Sequence, residues 1–395
     1  MRGKRRAKMK ILTVHNKYKI RGGEDESRES EDRLLLARGH EIRYVIYDNS
    51  TIGESGLVRV GMQATWARGP YEDLQSEIKA WRPDILDVHN FFPLASPAVH
   101  HAARRLGVPT VQTLHNYRLL CPGATFYRNG QVCEDCTRYP FPLPGVIHGC
   151  YRQSSLQSGS VALMIASHRL LRTWRETVSL FIAVSDFEKR KFVENGFTGS
   201  KISVKPNFVL SAGEPGPGGE DFLFVGRLSP EKGLDTLIRA MESNMVPARL
   251  NVVGDGPLMP VVQSAAERNS RIRYLGRRPQ AEVLDMMAHA RCVVFPSEWY
   301  ETFGRVAAES FAKGTPVIAS QIGAVAEIVD DGRTGFHFEP GNSQDLARVM
   351  AKACAEPRTL TEMRKEARRE YEAKYTPERN YQMLIAAYEQ AIANG

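Results

Sequence analysis

Short apolar runs, each ending in a polar or glycine-containing loop and followed by a helix-length segment, recur along the chain and restrict it to one class of fold. From Lys10 the runs are ILTVHN, EIRYVIYD, DILDVHN, VPTVQTLHN and SLFIAVSD. A helical stretch from about Glu24 to Arg38 is closed by Gly39, and Gly107 and Gly196 stand where helices stop. Strands alternating with helices imply parallel pairing and right-handed crossovers, so an α/β sheet is predicted. SAGEPGPGGE, residues 211–220, has six Gly or Pro in ten and reads as a linker. The pattern then restarts with DFLFVGR, RLNVVGDG, RIRYLG, RCVVFPS and TPVIAS. At 395 residues the chain exceeds one ordinary core. Two doubly wound, Rossmann-like domains are expected, over 1–210 and 211–376, with a terminal helix over 377–395. Thr376 is its expected N-cap and Pro377 its first residue. Open α/β sheets bind ligands beyond the carboxyl ends of their strands, which places the expected active site in a cleft between the domains.

Charge narrows the partners. The net charge is +8, but six of the cations lie in the first ten residues, and the remainder carries an excess of only two. No nucleic-acid module accompanies that tail, so nucleic-acid binding is not expected. The tail reads equally as a ragged start or as a lipid-facing basic arm. No apolar run of 18 residues exists, and no h-region with a cleavage site follows the tail, so neither a membrane span nor a secretory signal is read. Six Cys do not make a secreted disulfide scaffold, and the expected compartment is the cytoplasm. The first strand is followed by IRGGED rather than G-x-G-x-x-G, which argues against a nicotinamide enzyme.

The chemistry concentrates in residues 296–320, PSEWYETFGRVAAESFAKGTPVIAS. A strand ends at Phe295, a loop presents Glu298 and Glu301, and a helix is expected to begin near Phe303–Gly304 and to carry Glu309. Gly304 lets a ligand approach the backbone, and amides at a helix start bind phosphate oxygens. Glu301 and Glu309 form an E-x7-E pattern; a carboxylate there can accept two hydrogen bonds from a sugar diol. In FVGRLSPEKGLD, Arg227 ends a strand and Lys232 stands beside Gly233 at the start of a helix. Two cations at such a turn can neutralise a diphosphate, Arg as a fork and Lys as a point charge.

GRLSPEKG, VVGDGP and PSEWYETFG…AES…GTPV, in this order, resemble the carboxyl-terminal domain of the retaining family 4 glycosyltransferases, which have the GT-B fold. The resemblance extends over nearly the whole chain. It implies that Arg227 and Lys232 hold the donor diphosphate and stabilise the leaving group. It implies that Glu309 binds the ribose, that Glu301 lies near the sugar hydroxyls, and that Phe303 and Gly304 face sugar and phosphate. Gly22 and Gly23 match an amino-terminal glycine loop near the diphosphate, and His115 matches an active-site histidine near the donor sugar. His15 and His89, which also end strands, are candidate acceptor-side residues. The chain has no D-x-D tripeptide, which fits catalysis without a metal. The expected activity is retaining transfer of a sugar from a nucleoside-diphosphate sugar to a saccharide acceptor. Relatives with the TLHNY wording belong to exopolysaccharide, capsule and lipopolysaccharide assembly, so a lipid-linked acceptor is the first expectation. A non-catalytic scaffold with the same fold is the alternative.

Residues 117–152 form a Pro- and Gly-rich insertion with Cys121, Cys133, Cys136 and Cys150, spaced C-x11-C-x2-C-x13-C. A structural zinc on four thiolates is the first reading. Two disulfides, an iron–sulfur cluster and unligated thiols are the others. Cys292 and Cys354 read as packed residues. Residues 160–176 read equally as a basic amphipathic helix on anionic lipid at the inner face of the membrane and as a core-facing helix with a solvated basic edge.

Overall fold

The computed structural model of the chain describes residues 8–18, 22–52, 61–210 and 212–395. Most of the basic tail, loop residues 19–21, residues 53–60 and Ser211 of the linker lie outside these. The chain divides into two compact units. The first gathers Met1–Phe126, Cys133–Lys205 and Asn380–Gly395; the second gathers Tyr127–Val132 and Pro206–Arg379.

The first unit holds a parallel six-stranded sheet of β1 (Lys10–Lys17), β2 (Glu41–Asp48), β3 (Ile85–Asn90), β4 (Thr110–Leu114), β7 (Leu180–Ala183) and β8 (Ile202–Val204). Its spatial order is β2-β1-β3-β4-β7-β8. Between β4 and β7, in the insertion, β5 (Tyr127–Arg128) and β6 (Gln131–Val132) pair as a small antiparallel hairpin. The second unit holds β9 (Phe222–Val225), β10 (Leu250–Val253), β11 (Ile272–Gly276), β12 (Val293–Phe295), β13 (Val317–Ser320) and β14 (Gly335–Phe338), in the order β11-β10-β9-β12-β13-β14. All of its strands are parallel. Counted within the unit this is the order 3-2-1-4-5-6 of dinucleotide-binding folds.

Burial explains the strand sequences. Every residue of β3, β4, β7, β12 and β13 is buried, as a sheet covered on both faces demands. The helix Leu234–Glu242 supplies one cover. Its Leu234, Leu237, Ile238 and Met241 fall on one face and join Phe222 and Phe224 in the core. Strands β8 and β14 were not among the sequence runs. Each is an edge strand of three or four residues, too short for a periodic signal.

The order of each sheet reverses once, between β1 and β3 in the first unit and between β9 and β12 in the second. Ligands of open α/β sheets bind at such switch points. The final helix, Pro377–Asn394, is opened by Thr376, whose hydroxyl accepts the Arg379 amide at 3.3 Å. In the first unit its Tyr381 bonds His40 at 2.9 Å, and its Tyr388 donates to Asp87 at 2.8 Å.

Candidate active site

In the second unit the site is built from the loops after β9 and β12. The chain leaves β9, passes Arg227, makes a short 3-10 turn over Pro230–Lys232 and enters its helix through Gly233 at φ 68°. A Cβ at Gly233 would stand 1.8 Å from the Pro296 carbonyl, so only glycine lets the two loops touch. Gly254 plays the same part for VVGDGP, where a Cβ would meet the Gly226 carbonyl at 1.8 Å.

That contact brings Lys232 to Glu301. Lys232 Nζ stands 2.5 Å from Glu301 Oε1, which also accepts the Ser297 hydroxyl at 2.8 Å. Lys232 lies 5.4 Å from the Trp299 ring centroid. Glu301 is buried, whereas Arg227 is exposed and its guanidinium makes no ion pair within the described residues. The second glutamate of the E-x7-E pattern is also buried. Glu309 Oε1 accepts from Gln280 at 2.9 Å and pairs with Arg305 at 3.1 Å. Its helix begins at Arg305 with Gly304 as N-cap, one to two residues later than the sequence suggested, and Phe303 packs edge-on against Tyr375.

In the first unit three His-Asn dipeptides end β1, β3 and β4, and the two residues of each divide their work. The asparagines organise loops. Asn16 Oδ1 accepts the Leu94 amide at 2.9 Å, Asn90 Oδ1 the Phe92 amide at 2.9 Å, and Asn116 Oδ1 the Arg118 amide at 3.0 Å. The histidines join a buried polar cluster. His15 Nε2 meets Asp25 Oδ1 at 2.7 Å, and the other oxygen of Asp25 accepts the Gly22 amide at 3.1 Å. Asp25 thus ties the Gly22–Gly23 turn, where the following helix begins, to β1. His89 Nε2 lies 3.1 Å from Asp87 Oδ2, and its Nδ1 lies 3.1 Å from His115 Nε2. Lys205, fully buried, pairs with buried Glu31 at 2.6 Å.

The cluster sorts its protons. Burial opposes charge on His89, but the neighbouring Asp87 carboxylate outweighs it and raises the pKa. Burial, with His89 beside it, pushes His115 well below the ordinary histidine value. The opposite shifts favour charge on His89 over His115. With His89 charged, both of its nitrogens donate, one to Asp87 and one to His115 Nε2, which leaves the His115 proton on Nδ1. Burial also raises Glu24 to about 8, against a hydrogen bond from Tyr18 at 3.0 Å. Asp25, Asp87 and Glu24 carry this arrangement, yet none was singled out in the sequence. Asp87 had a signal: it precedes His89 by two residues on one strand, hence on the same face.

In the insertion Cys121 and Cys136 are buried and Cys133 and Cys150 half-buried; none of the six cysteines is in a disulfide. Burial and the nearby thiols of Cys121, Cys150 and Cys133 push Cys136 up to about 12. Among the described residues no three His, Cys, Asp or Glu side chains form a group that could hold a metal ion, so the thiols as placed do not make a tetrahedral set. Order in the segment has another visible source. Tyr117 packs 4.7 Å from Phe126, and the Arg118 guanidinium lies 4.7 Å from Phe92 and 4.8 Å from Tyr151. Among the described residues no helix is long and apolar enough to cross a membrane.

Two family descriptions match adjoining parts of the chain, Glycosyltransferase Family 4 over residues 33–210 and Glycosyl transferases group 1 over residues 213–370. Both descriptions are of glycosyltransferases, and each matches less than half of the chain. It is similar to an uncharacterized glycosyltransferase of Methanocaldococcus jannaschii, 39% identical over 126 residues that cover 31% of this chain and 35% of that protein. It is also similar to the glycogen synthase of Mycobacterium tuberculosis, 26% identical over 71% of this chain and 62% of the relative. The alignments thus span about one third and under two thirds of these relatives. Among solved structures it is similar to Anabaena HepE in complex with UDP, at a TM-score of 0.69 and 19% identity, covering 96% of this chain and 100% of that one. The parallel-sheet architecture of both units is that of the GT-B fold.

Proposed function

We propose that this GT-B protein is a retaining glycosyltransferase that moves a sugar from a nucleoside-diphosphate sugar to a saccharide acceptor. The observation that carries the reading is the set of Arg227, Lys232 and Glu301 on the loops that flank the β9/β12 switch point, with Glu309 on the helix that follows. When the sugar–phosphate bond breaks, negative charge grows on the departing diphosphate and positive charge on the ring. Arg227, Lys232 and the amides at the start of the Arg305–Ala312 helix are preorganised for that phosphate charge. Lys232 exchanges its contact with Glu301 for the phosphate as the donor enters, which releases the Glu301 carboxylate toward the sugar hydroxyls. Glu309 accepts the ribose hydroxyls. The acceptor attacks from the face the phosphate leaves, the phosphate helps take its proton, and no protein nucleophile is used. His115, neutral and protonated on Nδ1, positions the donor sugar. No metal takes part in the reading.

The acceptor is proposed to be a lipid-linked saccharide of surface polysaccharide assembly, met at the cytoplasmic face of a membrane; the family resemblance of the TLHNY segment supports this. Cys121, Cys133, Cys136 and Cys150 are proposed as ligands of a structural zinc on the strength of their spacing alone, and binding it would require the thiols to draw closer than the placement described above.

Thermal unfolding against UDP-, GDP-, ADP- and TDP-sugars tests the donor site. A ligand at a hundred times its dissociation constant adds about 2.7 kcal/mol. Uridine is the first base to try, because UDP is held by HepE. The expected result is a shift with one nucleotide, lost in Glu309→Ala, together with consumption of that donor. No shift with any donor would put the non-catalytic scaffold in its place.

A further inference from the structure

The helix Ser155–Leu170 turns an uncharged face to solvent. Its inner side, with Val161, Met164, Ile165 and His168, is buried. On the outer side Leu156, Leu163 and Leu170 are 70%, 52% and 85% exposed. Seven residues are nearly two turns, so the three leucines form one stripe, with Ser160 and Ser167 between them. The short helix Leu143–Ile147 packs beside it and adds Leu143 and Ile147, one turn apart and both exposed. Scattered exposed leucines need no explanation, but a stripe on adjoining helices does.

The segment that carries the stripe has charge of one sign. From Cys136 to Arg175 there is no Asp or Glu, and there are five Arg. At the carboxyl end of the stripe a surface pocket of about 280 Å³ is lined by Arg169, Arg172, Arg175 and Lys201, with no carboxylate. Arg169 and Lys201 are pinned, donating to the carbonyls of Tyr139 at 3.2 Å and of Arg175 at 2.8 Å. Arg172 and Arg175 are exposed, and Arg175 lies 4.0 Å from Glu176.

We propose that this face docks on the anionic phospholipid surface of a membrane, with the leucine stripe at the acyl boundary and the arginine pocket on headgroup phosphates. The helix, 16 residues and so about 24 Å long, lies in the interface and does not cross it. A second copy of the chain is a poor occupant, because two such faces would bring arginine against arginine. The proposal deepens the reading of a lipid-linked acceptor by naming the surface that meets the lipid.

The test is flotation of the full chain with phosphatidylcholine vesicles containing roughly 30% phosphatidylglycerol, against pure phosphatidylcholine, at low and high salt. Preferential binding to the anionic vesicles, weakened by salt, is expected. Leu156→Ser, Leu163→Ser and Leu170→Ser together should cut partitioning at least about tenfold. Arg172→Ala with Arg175→Ala should cut it about twentyfold on anionic vesicles only. All five positions are exposed, and unchanged circular dichroism and unfolding midpoints establish that the variants fold. Equal binding to both vesicle types, no binding, or binding unchanged in the variants overturns the proposal. A dimer that the leucine changes disperse would assign the face to a second copy instead. Vesicle binding needs no sugar and donor hydrolysis needs no vesicle, so this proposal and the glycosyltransfer reading can fail separately.

Discussion

His89 and His115 come from neighbouring strands and share one hydrogen bond, 3.1 Å between Nδ1 and Nε2, with their rings within 18° of parallel. Asp87 stands on the far side of His89, and Tyr388 donates to Asp87. When His89 is charged, this chain of four side chains makes His89 the donor and leaves the His115 proton on Nδ1.

Asp87→Asn should break that direction while keeping the shape. His89 would lose its charge at neutral pH, and His115 its fixed tautomer. Donor KM should hold while kcat falls by up to about a hundredfold, the scale of a small misplacement in an active site. The wild-type rate should fall as pH rises through the raised pKa of His89, and in the variant this limb should move to lower pH. A purely structural role would lower kcat without moving the limb. Stability follows the same sign. The contribution of His89 is full below its unfolded value of 6.5 and fades as pH rises through the raised folded value.

The Lys232–Glu301 pair gives opposite expectations for its two members. Lys232→Ala leaves a buried carboxylate without its cation and should lower the unfolding midpoint as well as turnover. Glu301→Gln releases Lys232 for phosphate. UDP should then bind more tightly while transfer slows, and calorimetry beside a rate assay reads both. Weaker UDP binding in Glu301→Gln would mean that the carboxylate acts on the nucleotide rather than on the sugar.

Glu24 sets a pH dependence of stability. Its folded pKa, raised to about 8, exceeds the ordinary 4.5, so the folded state prefers the protonated acid. The contribution is full below 4.5 and is lost as pH rises through 8. Glu24→Gln should gain on the wild type progressively between pH 5 and 9 in thermal unfolding. A constant offset across that range would remove Glu24 as the cause.

The insertion is tested by metal content. Protein purified without chelator should carry one zinc per chain, and Cys133→Ser with Cys136→Ser should remove it and lower the unfolding midpoint. Zinc-free wild type with an unchanged midpoint would leave the order of this segment to Tyr117, Phe126 and Arg118.

The sequence runs located ten of the twelve strands in the two large sheets, most plainly those covered on both faces, which are buried throughout. Strands β8 and β14 escaped because each offers only three or four residues at a sheet edge. At the site, local signals were legible: glycines where loops touch, a proline and cations at a helix start, histidines at strand ends. Pairings between distant residues were not. Lys232 and Glu301 are 69 positions apart, and Lys205 and Glu31 are 174 apart. Each reads alone as a charged residue, and only the fold shows that its charge is already answered. The three asparagines after the histidines serve the loops.

The bond from Tyr388 to Asp87 also sets an order in time. It joins residues 301 positions apart, so the strand that carries Asp87 and His89 leaves the ribosome long before its partner exists. Until residues near Tyr388 emerge, the first unit lacks the helix that holds this aspartate, and the histidine chain has no anchored end. A growing chain can therefore collapse around its amino-terminal sheet without acquiring a set proton at His115. The anchor arrives only with the last helix, which makes the setting of this histidine chain in the first half of the protein contingent on synthesis of the second.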